Sequence, residues 1–213
     1  MQVHENPLSD RFRGYLPVVV DIETAGFSPQ KNPLLEIAAV IVERNQENNL
    51  EITESHSAHI IPFKNCEFDQ AALKFTGIDP YHPFRMALDE KEVLIKLFTP
   101  IRAAVKRNQC TRAILVGHNP AFDIGFLNAA IARTKTKRSP FHAFSCFDTA
   151  TLGGLIYQQT VLAKIAKAAG LAWDAEKAHS ALYDAEQTAK LFCMMVNRWE
   201  KLQRLDENTS SSA

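Results

Sequence analysis

The sequence is poor in the features that would set it apart from an ordinary globular protein. It has four cysteines, Cys66, Cys110, Cys146 and Cys193, widely separated and without CxxC spacing, which argues against a disulfide framework or a structural zinc site. It has no excess of either charge, since 24 Lys and Arg balance 24 Asp and Glu. That balance excludes an indiscriminate polycation but leaves room for local basic patches. Aliphatic runs such as Ile37 to Val42 fall far short of the ~20 residues a membrane helix needs, so no membrane partner is expected. The opening MQVHENPLSDRFRG has no apolar stretch of the secretory type, and a cytoplasmic, reduced location is the expectation. Repeats and linkers are also missing. With 46% hydrophobic and 23% charged residues the composition is globular rather than disordered or fibrous. At roughly 100 to 200 residues per domain, the 213 residues predict a single domain over 1–204 and a flexible polar tail over 205–213.

Tyr15 to Val20 is a continuous β-favouring run, and Leu35 to Glu43 and Ser57 to Phe63 supply two more strand candidates, with a turn at Asn45 to Asn49. Their short links predict antiparallel hairpins. Leu88 to Arg107 has helical spacing of apolar residues, with a kink or break expected at Pro100. Arg112 to Gly117 reads as a strand, and the helix before it suits a crossover to parallel pairing. Further helices are expected at Ala121 to Arg133, with Asn119 as cap and Pro120 in its first turn, then at Thr149 to Tyr157, Val161 to Ala169 and Ser180 to Leu205. The fold class is α/β: a mixed central sheet flanked by helices.

Asp21 and Glu23 end the first strand two residues apart, so their side chains face the same way. Adjacent anions behind Val18-Val19-Val20 repel each other and resist desolvation unless a cation or water compensates. A strand emerging into a wet turn at Thr24 to Gly26 explains the pair equally well. Asp123 lies in the first helical turn beyond the second motif-bearing strand; if the two strands are parallel, it shares an edge with Asp21. An acid is common in a first turn in any case. Asp184 follows His179 by five residues, about 140° apart on a helix, so the two converge only if Ser180 caps and His179 turns back on the loop. Four carboxylates and a histidine suit a two-Mg²⁺ site for phosphoryl displacement. An imidazole, with its unperturbed pKa near ~6.5, can take a proton from attacking water.

DIETAGF at 21–27, GHNPAFD at 117–123 and HSALYDA at 179–185 resemble the three motifs of the DEDDh exonuclease family. RFRGYLPVVVDIETAGF, LLEIAAV, FTGIDP, SPFHAFSCFDTA and LFCMMVNRW are similar to its ribonuclease T group and extend the resemblance from Arg11 to Trp199. This implies an RNase H-like fold and metal-dependent 3′-to-5′ release of 5′-monophosphates. It implies that Asp21 bridges two Mg²⁺ ions, for which Mn²⁺ can substitute, that Glu23 and Asp184 hold the first and Asp123 the second, and that His179 is the general base. It also implies a homodimer trimming the 3′ ends of tRNA and other stable RNAs, with activity on single-stranded DNA ends. Some relatives have a glutamate four residues before the FTGI phenylalanine, where this chain has Ala71, so terminal-base preference is not carried over.

Phe27, Phe75, Phe122 and Phe144 stand beside the motifs. Each could simply pack in the core, or offer a face on which a base stacks; similar positions in the ribonuclease T group are implicated in stacking. Asp148 reads as a helix cap, His118 as a hydrogen-bonded structural residue, and Met194 and Trp199 as core or dimer contacts. Basic clusters offer Arg11, Arg13, Lys106, Arg112 and Lys137 as nucleic-acid contacts and favour a long polyanion over a small phosphodiester. Eight residues from Arg13 to Asp21 span up to ~26 Å of strand, so a two-fold dimer could set one subunit's basic patch beside the other's catalytic edge. A proofreading subunit, an oligoribonuclease-like enzyme and a silent binding module of the same fold are the alternatives. A silent module would usually lack one of the metal carboxylates, and none is missing.

Overall fold

The apolar run predicted as the first strand becomes β1 (Tyr15–Thr24), the middle strand of a five-stranded sheet in the computed structural model, which describes residues 7–210. β2 (Leu34–Arg44) pairs antiparallel with β1, and β3 (Leu50–His59) pairs antiparallel with β2. After α1 (Gln70–Thr76), the crossover helix α2 (Glu90–Arg107) leads to β4 (Arg112–Gly117), which runs parallel to β1 with Tyr15 opposite Arg112 and Val19 opposite Val116. Helix α3 (Ala121–Thr134) then leads to β5 (Phe141–Asp148), parallel to β4. The order is β3-β2-β1-β4-β5.

Because β1 is central, alternate residues on both its faces are buried, which is why Leu16 to Val20 lack polar alternation. α2 and α3 pack together over one side of the sheet; α6 (Ala181–Ser210), with α4 (Thr149–Tyr157) and α5 (Leu162–Ala168) against it, lies across β1, β2 and β3. This parallel β1–β4 pair brings the ends of both strands, and so the first two motifs, to one edge. At the other end of the sheet Arg44 grips Glu200 of α6 bidentately (3.0 and 2.8 Å), and Arg11 adds a third contact at 2.7 Å, tying the segment before β1 to α6.

Several expectations are corrected. The third strand begins at Leu50, not Ser57, and ends at His59. As an edge strand it buries little on either face, so Glu51 to Ser57 carry almost no apolar signal. β5 escaped prediction because its register slips between Ala113 and Leu115, a bulge that breaks the two-residue period. α1 was also missed; at seven residues with none buried, it has no apolar stripe. α2 does not break at Pro100. The carbonyl that proline leaves unpaired is that of exposed Lys96, where solvent can serve it, while Thr99 Oγ1 donates to Ile95 O at 2.8 Å. Asn119 does not cap α3: it is left-handed (φ 60°), and Pro120 occupies the cap position. α6 continues to Ser210, past the predicted end at Leu205. Residues 1–6 of the predicted arm and 211–213 of the predicted tail lie outside the described residues. No helix is long and apolar enough to cross a membrane among the described residues.

Candidate active site

Asp21 and Glu23 leave β1 on the same side, and β4 delivers Asp123 to the same end through the first turn of α3. Asp184 arrives in the first turn of α6. Glu36, which sequence reading passed over, sits directly opposite Glu23 in the β1–β2 ladder. Register is the signal that could have found it: once the hairpin is aligned, LLEIAAV puts its glutamate across from that of DIET. Burial pushes the Asp21 carboxyl well above the usual range, and the charges of Asp123, Glu23, Asp184 and Glu36 push it further. Burial, then Asp184, Glu36 and Asp123, raise Glu23 to about 8. Asp123 is also raised to about 8 by burial, against backbone N–H groups of its own residue and Ile22 that hold it down. Burial raises Asp184 as well, with the His179 N–H and ring charge opposing. No Lys or Arg forms an ion pair with Asp21, Glu23, Asp123 or Asp184 among the described residues.

Such crowding is expensive unless a cation is bound. Two observations fit a divalent ion. Glu23, His179 and Asp184 each offer a ligand atom, all within 4.8 Å of one another. Asp184 Oδ1 is buried with no hydrogen-bond partner, while its Oδ2 accepts the His179 N–H at 3.0 Å. An oxygen-rich, anionic set of this kind suits hard cations. His179 is exposed and left-handed (φ 67°), lying on the loop before α6, so it does turn back toward Asp184 as the spacing required. Glu36 helps hold that loop: it accepts from the Ala181 N–H at 3.4 Å and meets His59 at 2.9 Å.

Beside the carboxylates, Phe27, Phe75 and Phe122 line a cleft of about 350 Å³ with Ala71, Ala72 and Thr76. Phe27 and Phe75 are 79% and 67% exposed, an unusual state for rings with nothing to bind, and Phe75 packs 4.3 Å from the His179 ring. Gly26 makes the turn that presents Phe27: its φ is +147°, and a Cβ there would fall 2.5 Å from the Asn32 side chain. Buried Asn32 pins the loop, accepting from Ser28 N at 2.8 Å and donating to Glu67 O at 2.9 Å.

The fourth phenylalanine is elsewhere. Phe144 is exposed on β5 beside His142 (4.6 Å), whose ring neighbours Tyr15, with Arg13 over that tyrosine. It therefore belongs with the opposite end of the sheet, because parallel β5 has four residues still to run from Phe144 to Asp148. Arg13, Lys106, Arg112 and Lys137 are exposed and remote from the carboxylates along the chain, as their spacing implied. Arg11, expected among the nucleic-acid contacts, is paired to Glu200 and lies over the Phe12 ring. Asp148 caps α4 as read, accepting from Ala150 N (3.0 Å) and Thr151 N (3.3 Å). His118 is structural, bonded to Thr149 Oγ1 (3.1 Å) and Thr160 O (2.9 Å).

The chain is similar to known proteins in sequence and in fold. A family model described as exonuclease (RNase T) matches residues 18–192. A ribonuclease T of Marinobacter nauticus is 55% identical over 197 residues, covering 92% of this chain and 89% of that protein. Among solved structures, Escherichia coli exonuclease I with a dT13 oligonucleotide superposes with a TM-score of 0.67 at 17% identity, over 90% of this chain and 43% of that one. A 3′-exonuclease described as recognising the 3′ end of histone mRNA stem-loop gives 0.67 at 18%, over 85% and 63%. The zinc-bound form of the exonuclease I complex gives 0.66 at 16%, over 90% and 42%. The chain spans less than half of exonuclease I and under two thirds of the 3′-exonuclease; these likenesses show the RNase H-like exonuclease fold.

Proposed function

The chain belongs to the RNase T exonuclease family and is a 3′-to-5′ exoribonuclease, and on that premise we propose that it trims the 3′ ends of tRNA and other stable RNAs, and single-stranded DNA ends, using two Mg²⁺ ions. The observation that carries the reading is the group of four buried or partly buried carboxylates with no Lys or Arg paired to them among the described residues. Asp21, Glu23 and Asp184 would hold one ion and Asp123, with Asp21 shared, the other; Mn²⁺ would serve in place of Mg²⁺. Ions held there would supply stabilisation of the charge on the attacking and leaving oxygens. His179, on an exposed loop beside Asp184, accepts the proton of the water that attacks phosphorus. The P–O bond to the preceding 3′ oxygen breaks, and that oxygen takes a proton from solvent, leaving a 5′-monophosphate and a shortened chain with a free 3′ hydroxyl. Phe27, Phe75 and Phe122 stack on the terminal bases and hold that phosphodiester in place.

We propose further that the enzyme is a homodimer. An apolar groove of about 580 Å³, lined by Phe12, Leu155, Ile156, Trp199 and Leu202 among others, supports a contact between copies. The exposed Arg13, Arg112, Lys106 and Lys137, with Phe144, would then serve the partner's catalytic end. The test incubates purified protein and Mg²⁺ with end-labelled tRNA bearing extra 3′ nucleotides, beside single- and double-stranded DNA. Stepwise loss of 3′ mononucleotides, abolished by EDTA, is expected; release of internal fragments, or turnover indifferent to chelation, overturns the reading.

A further inference from the structure

The loop between α1 and α2 holds three large exposed apolar side chains outside the catalytic cleft and the α6 groove. Tyr81, Phe84 and Met86 are 72%, 83% and 81% exposed, within six residues of one another. Their backbone is fixed, not loose. Tyr81 N donates to Asp79 Oδ1 at 3.0 Å, Phe84 N to His82 Nδ1 at 3.3 Å, and Pro83 opens a short 3₁₀ turn. Arg85 points inward from the same turn, donating to Pro80 O (2.8 Å) and Leu35 O (2.6 Å). A loop so anchored holds its rings in water at a hydrophobic cost that folding alone does not require.

Its position gives the cost a use. Leu88 N donates to His59 O (3.0 Å) and Ile61 N to Leu88 O (2.9 Å), so the loop is seated at the end of β3. Leu35, which Arg85 grips, precedes Glu36, the residue opposite Glu23. Two strand spacings, ~10 Å, separate β1 from β3. Tyr81 also lies 5.9 Å from Phe68, next to Asp69. Asp69 N donates to Ala25 O (2.9 Å) just beyond β1, and its side chain caps α1, which carries Phe75. The ridge is therefore hydrogen-bonded to the ends of β2 and β3 and, through the contact of Tyr81 with Phe68, adjoins the segment that enters α1.

We infer that Tyr81, Phe84 and Met86 form a second stacking ridge, which binds an unpaired nucleobase upstream of the terminal nucleotides held by Phe27, Phe75 and Phe122. A nucleobase suits the ridge better than a protein surface does. The exposed side chains are separated by His82, Pro83 and Arg85 rather than joined into an aliphatic face, and an aromatic ring accepts any base. No exposed Lys or Arg lies between Ile78 and Asp89, where Arg85 is half-buried, so this contact grips bases and leaves phosphates to the solvent. The inference rests on the catalytic end proposed above.

The test uses full-length protein. Single-stranded RNA of ten nucleotides, with 2-aminopurine at one position at a time, is bound in Ca²⁺ in place of Mg²⁺. Quenching is expected at the terminal positions and again at an upstream position; Tyr81→Ala with Phe84→Ala should abolish only the upstream signal. In Mg²⁺ the double variant should show a KM raised about tenfold on the ten-nucleotide RNA, little changed by 0.3 M salt, with kcat unaltered, and normal kinetics on a dinucleotide. Unchanged quenching and KM overturn the ridge, as does equal loss on the dinucleotide. A shift from dimer to monomer by sedimentation would instead make this surface a contact between copies. Wild-type protein that cleaves neither RNA removes the functional reading itself, an outcome distinct from failure of the ridge.

Discussion

At the catalytic end of the sheet four carboxylates share a largely buried space with no Lys or Arg paired to them among the described residues, whereas at the opposite end a buried carboxylate, Glu200, is enclosed by Arg44 and Arg11. Burial raises the acid in both places. At Glu200 the hydrogen bonds and charges of Arg44, joined by Arg11 and Arg204, outweigh burial and the carboxyl falls below its ordinary range. At the catalytic end nothing outweighs it, and Glu23 and Asp123 rise to about 8. The compensated cluster needs nothing further to be stable. The uncompensated one is a binding site for positive charge, and this contrast separates a structural use of buried acid from a functional one.

The sharpest way to break the contrast is to remove one acid from each end. Asp123→Asn should lower turnover by about 10³-fold or more, the scale of losing a central electrostatic contribution, while the metal-free protein melts higher because repulsion is relieved. Glu200→Ala should do the reverse, costing about 3 to 5 kcal/mol by stranding buried arginines, with turnover per folded molecule unchanged. Kinetics and thermal melts on both variants decide it; near-normal Mg²⁺-dependent activity in Asp123→Asn would remove that residue from the site. Next in size, His179→Ala should lose about 10² to 10⁴-fold in kcat yet bind RNA normally on filters in Ca²⁺. Equal losses in turnover and affinity would recast His179 as a binding residue.

The same contrast predicts opposite responses to pH. A carboxyl raised in the folded state binds its proton more tightly there than when unfolded. Between the unfolded value near ~4 and the folded value of about 8 the native state therefore holds more protons, and stability falls as pH rises. In EDTA the melting temperature should decline from pH 5 to pH 8, more gently in Asp123→Asn, and Mg²⁺ should restore it most at the alkaline end. Glu200, lowered on folding, contributes stability above its unfolded pKa and loses it in acid. Wild-type melts that do not change with pH in EDTA would mean that the acids are not crowded as described.

The catalytic end was legible because its information is local: each motif ends a strand or opens a helix, and strand alternation with one parallel pairing brings Asp21, Glu23 and Asp123 together. β1, β2, β4 and α4 could be read for a related reason, being continuous apolar or well-capped segments. What could not be read depended on pairing partners. Glu36 becomes a site neighbour only through its register with Glu23. β5 is hidden by a bulge, and Phe144, grouped by motif proximity with the other three phenylalanines, is carried away by the direction of that unread strand. β3 is an edge strand whose apolar pattern is too thin to see.

Arg11 and Arg13 give the finest test, because sequence alone treats them alike. Both precede β1, two residues apart, and the sequence offers both as nucleic-acid contacts. Arg11 is half-buried, paired to Glu200 at 2.7 Å and set over Phe12, so its charge is already spent inside the fold. Arg13 is exposed over Tyr15, the residue that pairs with Arg112 between β1 and β4, with its charge available to a phosphate. Each phosphate a protein neutralises adds about 0.9 to the slope of log affinity against log salt for duplex nucleic acid, and about 0.7 for single strands. Arg13→Ala should therefore weaken RNA binding a few-fold, flatten that slope by about 0.7 and leave the melting temperature alone. Arg11→Ala should cost about 1 to 2 kcal/mol, since Glu200 keeps Arg44, which is a fall of roughly 2 to 8 °C for a chain of this length, with the salt slope unmoved. Filter binding between 50 and 200 mM salt, run beside thermal melts, measures both. If Arg11→Ala flattens the slope while melting normally, the Glu200 cluster is a nucleic-acid contact as well as a structural one, and the division between compensated and available charge at that end of the sheet does not hold.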